Sequence, residues 1–167
     1  MNQLPVQPKR ILAIDPTTRG FGFAVLEGPM NLVDWGVKEA KVDKNDQSLN
    51  LVARLIKRYR PDVMVVEDYT GQGSKRCVRI AGLIDRIIKL ADKRGVKIHT
   101  FSRSMVREGF SEAQAYTKHQ IAEAIALKFP ELAPRMPRFR KSWMSEDYRM
   151  SIFDAIALAL TYFYFEV

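Results

Sequence analysis

The chain has 167 residues, 47% of them hydrophobic, and 27 Lys and Arg against 19 Asp and Glu give it a net charge of +8. That length suits one domain; no run of about 18 apolar residues predicts a membrane span, and a single cysteine, Cys77, excludes an internal disulfide or a Cys-based zinc site. The polar start lacks the apolar stretch of a signal peptide, so a cytoplasmic protein is expected, with residues 1–9 as a flexible tail and 10–167 as a single domain.

Residues 10–15, 21–27 and 31–39 predict three strands, the second and third joined by a turn at Glu27-Gly-Pro-Met30. Residues 47–60 carry apolar side chains at helical spacing, and 62–67 is a near-continuous apolar run that suits a central strand buried on both faces. A long helix is expected over 75–94, with Gly95 at its end, and a fifth strand over 96–101. A helix at about 116–128, a Pro-rich basic loop at 130–144 and a last helix at about 146–164 complete the chain. Three consecutive strands followed by alternating helices and strands predict an α/β fold: a five-stranded mixed sheet with helices on both faces.

Carboxylates stand at the ends of the core elements. Asp15 ends the first strand, Glu67 ends the fourth, and Asp154 lies among the apolar residues of the last helix. Placing the first and fourth strands side by side sets Asp15 near Glu67. Two like charges held close repel unless a cation neutralises them. Carboxylate ligands suit Mg²⁺, with Mn²⁺ as a substitute. Basic residues cluster in the same chain, and a positive surface suits a polyphosphate partner.

The run Ile14-Asp-Pro-Thr-Thr-Arg-Gly-Phe-Gly22, then Val66-Glu67, then Phe153-Asp-Ala-Ile-Ala-Leu-Ala159 resembles the RuvC-type Holliday junction resolvases of the ribonuclease H-like superfamily. The resemblance spans about residues 10–163. It implies a ribonuclease H-like fold, a homodimer, branched DNA as partner, and Mg²⁺-dependent endonucleolytic cleavage at a four-way junction. It assigns Asp15, Glu67 and Asp154 to metal, and Lys118 and Arg107 to positions near the scissile phosphate. The position where the family carries a fourth acid or a histidine is Ser151 here, a poor metal ligand. Asp147 and Glu146 lie upstream on the expected helix, Asp147 on the same face as Asp154 and two turns away; either is an alternative fourth acid, and helix capping with dipole compensation is the ordinary role for both.

Further candidates for nucleic-acid contact are Tyr69, able to stack on an unpaired base, Lys75 and Arg76 at the expected helix start, and Arg138 and Arg140 of the basic loop. The alternatives are a ribonuclease H-like nuclease acting on RNA or an RNA–DNA hybrid, and a junction-binding protein whose catalysis is impaired through Ser151.

Overall fold

The computed structural model describes residues 3–71, 74–141 and 143–166. Met1 and Asn2 of the expected tail, Ser142 of the basic loop and Val167 lie outside the described residues. Five strands, β1 (Arg10–Pro16), β2 (Gly20–Glu27), β3 (Leu32–Glu39), β4 (Val63–Glu67) and β5 (Lys97–Phe101), form one sheet in the order β3-β2-β1-β4-β5. β1, β2 and β3 pair antiparallel, and β1, β4 and β5 pair parallel. This is the expected mixed α/β sheet.

Burial on both faces explains why β1 and β4 read as continuous apolar runs. Side chains alternate across a strand. Leu12, Ile14, Met64 and Val66 point to one face and pack with Val52, Ile56, Ile84 and Ile87 of α1 (Lys44–Tyr59) and α2 (Val78–Lys93). Ile11, Ala13, Val63 and Val65 point to the other, against α5 (Met150–Glu166), with α4 (Lys118–Lys128) beyond it. The same alternation puts Asp15 and Glu67 on the α5 face. α5 is buried over nearly its whole length, which accounts for a sequence apolar all round. Among the described residues no helix is long and apolar enough to cross a membrane.

Two boundaries near the carboxylates depart from the sequence reading. α2 begins at Val78, so Lys75 and Arg76 precede the helix instead of opening it. α5 begins at Met150, because the Asp147 carboxylate accepts the Arg149 backbone N–H (2.9 Å) and its guanidinium (2.7 Å) and so holds a turn in place of a helical start. Asp147 therefore lies before α5 and does not share a helix face with Asp154; its carboxylate accepts a backbone N–H at the helix entry. Two short elements were not anticipated: α3 (Arg103–Gly109), capped by the Ser102 hydroxyl, and a 3-10 turn at Pro130–Arg135 that opens on proline and buries Leu132.

Candidate active site

The parallel register of β1 and β4 pairs Ala13 with Val65. Continued two residues on, it sets Asp15 beside Glu67 at the strand ends. Both carboxylates are buried, at 3% and 5% exposure. Asp154 approaches from α5, one turn from Ala157 and Leu158, and these three side chains line one cavity of about 290 Å³ together with Asp15 and Glu67. α3 contributes Arg103, Val106 and Arg107 at helical spacing, and α4 contributes Lys118 and Ile121. A capping box between Thr117 and Gln120 fixes the start of α4, and with it Lys118.

Cations neutralise every acid of this cavity. Arg76 reaches in from the stretch before α2; its guanidinium donates to Asp15 Oδ1 (2.6 Å), Glu67 Oε2 (2.7 Å) and the Pro16 carbonyl (2.9 Å). Arg103 Nε lies 3.3 Å from the other Glu67 oxygen. Lys118 Nζ lies 3.3 Å from Asp154 Oδ2 and 3.2 Å from Glu146. Burial raises the Asp15 carboxyl above its ordinary value, with Arg76 and Lys118 opposing. Burial, reinforced by the charge on Asp15, pushes Asp154 up to about 7 against the pull of Lys118. Burial alone would lower Lys118, but Asp154 and Asp15 outweigh it and hold the ammonium charged. The acids around it therefore favour the charged form of Lys118.

Among the described residues, no three His, Cys, Asp or Glu side chains converge as ligands of one ion. Guanidinium and ammonium groups stand between the acids instead. The donor set nonetheless fits a hard divalent cation: three carboxylates share a single cavity, and a cation already bridges two of them.

The structure thus brings Asp15, Glu67, Asp154, Lys118, Arg76 and Arg107 together. Arg138 and Arg140 line an adjoining groove that shares Arg103 and Lys118 with the cavity. Tyr69 and Lys75 are not in either. The Tyr69 hydroxyl donates to both Asp85 oxygens, at 2.8 and 2.9 Å, which ties its ring to α2; Lys75 is exposed. Ser151 is buried away from the cavity, its hydroxyl donating to the Tyr148 carbonyl (2.7 Å). A Cβ at Gly22 of β2 would collide with the Ser151 backbone and hydroxyl, so only glycine lets α5 approach the sheet there. Arg103 was missed in the sequence; Glu146, one of the two acids weighed there as a replacement for Ser151, pairs with Lys118 at 3.2 Å. An Arg103–Arg107 spacing of one helical turn after a serine was the available signal for Arg103.

A family model described as crossover junction endodeoxyribonuclease RuvC matches residues 11–134. Among solved structures, RuvC of Thermus thermophilus superposes with a TM-score of 0.69 at 18% identity, covering 93% of this chain and 94% of that one. The T. thermophilus protein in complex with a Holliday junction substrate gives 0.64 at 18% identity, over 94% of each chain. The yeast mitochondrial Holliday junction resolvase Ydc2 gives 0.62 at 17% identity, covering 96% of this chain and 80% of that one. No curated protein matches the chain. At these identities the structural likeness establishes the fold, and the match over residues 11–134 carries the family: the chain belongs to the RuvC crossover junction endodeoxyribonucleases.

Proposed function

We propose that Asp15, Glu67 and Asp154 hold Mg²⁺, or Mn²⁺ in its place, and that the chain cleaves four-way DNA junctions as a homodimer. Nucleases of this family depend on a divalent metal. The observation that carries the site assignment is the pairing of two buried carboxylates at adjacent parallel strand ends, on the face that presents Asp154 and Lys118.

When bound, a divalent cation supplies Lewis-acid charge at the scissile phosphate. The protein's own groups do the rest. Lys118, kept protonated by its acidic neighbours, offers positive charge to the phosphoryl oxygens as negative charge develops on them. Arg107 stands at the same cavity and orients the phosphate. Arg138 and Arg140 extend the positive surface along the adjoining groove, where a DNA arm would lie. Four-way junctions have near two-fold symmetry, so two copies related by a two-fold axis would place one such cavity on each of two opposed strands.

Asp15→Asn tests the assignment. Cleavage of a synthetic four-way junction should fall more than a hundredfold, while junction affinity changes less than threefold, because affinity comes from the basic groups. Retention of more than a tenth of the wild-type rate would overturn the role given to Asp15. A wild-type protein that binds the junction tightly and cuts nothing in Mg²⁺ or Mn²⁺ would support the binding-protein alternative.

A further inference from the structure

Among the described residues, Arg76 is the cation that hydrogen-bonds both Asp15 and Glu67. It spans Asp15 and Glu67, takes one oxygen from each, and anchors its third nitrogen on the Pro16 carbonyl. Its side chain is 17% exposed, so the pairs lie largely out of water. Two adjacent buried carboxylates cannot stand unneutralised, and breaking such a pair by removing one partner is strongly unfavourable. A divalent cation meeting the same two carboxylates would find those oxygens occupied and a positive charge beside them. Arg76 holds one oxygen of each carboxylate and its charge repels a second cation there, so the two compete for the same acids.

We propose that Arg76 is an exchangeable internal counter-ion, which neutralises Asp15 and Glu67 in the metal-free protein and must swing out for the site to load. The proposal rests on the reading of Asp15 and Glu67 as metal-holding. The backbone around Arg76 permits the movement: residues 74–77 belong to no helix or strand, so the side chain can leave without breaking regular structure. Arg103 is placed differently. It touches only Glu67, from α3, and can keep its oxygen while the bridge opens. The exchange keeps the metal-free cavity neutral and ordered, and it sets a concentration threshold that a divalent cation must exceed before the site is armed.

The test is Mn²⁺ binding to the full chain without DNA, counted by electron paramagnetic resonance, beside melting temperatures in EDTA. Arg76→Gln, which keeps some hydrogen bonding and removes the charge, should bind Mn²⁺ at least tenfold more tightly than wild type. It should also melt at a lower temperature in EDTA and regain more of that loss on adding Mn²⁺. Arg76→Lys, a point charge unable to bridge both acids with the same fork, should bind at least threefold more tightly, and it decides the matter if Arg76→Gln does not fold. Affinities within twofold of wild type in these variants, with Mn²⁺ binding abolished by Asp15→Asn, would overturn the exchange and leave the metal site standing. Mn²⁺ binding absent from wild type, or unaffected by Asp15→Asn, would overturn the metal reading and the exchange with it.

Discussion

Asp154 sits in an environment far from that of an ordinary carboxylate. Its carboxyl is pushed up to about 7 by burial and by Asp15, whereas an unfolded chain would ionise it near 3.8. Between those values the folded protein holds a proton that the unfolded chain has lost. Stability contributed at this position is therefore greatest at low pH, and it declines as pH rises through about 7. Metal-free protein melted across pH 5–8 should lose stability towards the alkaline end, and Asp154→Asn should flatten that slope. A slope unchanged in the variant would assign it to other groups. By the same logic, divalent cations should bind more weakly at pH 5.5 than at pH 8, since a protonated Asp154 offers a poorer ligand. The three acids were legible in the sequence because strand alternation and apolar neighbours mark where each carboxylate must lie. Arg76 was not: its partners Asp15 and Glu67 are joined to it only by the tertiary fold, and its place at an expected helix start concealed them.

α5 shows how one element can be read correctly in kind and wrongly in detail. Its apolar sequence announced a buried helix, but its start depended on the turn that Asp147 and Arg149 make together. That turn also decides the fate of Ser151. Counting back from Asp154 along a helix puts the two side chains one turn apart, and a carboxylate at 151 then reads as a further ligand. In the folded chain Ser151 does stand one turn from Asp154 in α5, but its buried hydroxyl donates to the Tyr148 carbonyl and lies against the Gly22 backbone, outside the cavity lining. Ser151→Asp should accordingly destabilise the protein by about 3 kcal/mol or more, the scale of an unpaired buried charge. It should not raise metal affinity. Denaturant unfolding beside a Mn²⁺ titration checks both; a tighter metal site in a stable variant would contradict the placement of Ser151. Glu146, held by Lys118 at the cavity's edge, is the acid that the fold brings near in its place. Short elements were the hardest to foresee. α3 has too few apolar positions to show a period, and its seven residues still supply Arg103 and Arg107 to the cavity.

At the scale of the whole molecule, the sheet order places Asp15 and Glu67, α5 brings Asp154, and the cations come from α3, α4 and the stretch before α2. The meander and the pairing of β1 with β4 were readable from the alternation of apolar runs, because a meander followed by crossovers leaves few arrangements. The net charge of +8 is spread well beyond the cavity. A surface that contacts about six phosphates should lose on the order of a thousandfold in junction affinity between 50 and 200 mM salt. A flat salt profile would contradict a nucleic-acid partner of any kind. On the proposed reading, the buried carboxylates serve a metal-dependent nuclease selective for branched DNA. That reading is tested most directly by incubating the purified chain with a labelled four-way junction, a linear duplex of matching sequence and an RNA–DNA hybrid, each in Mg²⁺, in Mn²⁺ and in EDTA. The account predicts paired cuts in the junction with either metal, no cuts in EDTA, and little or none in the other two substrates. Cleavage of the hybrid in preference to the junction, or cleavage that persists in EDTA, would contradict it.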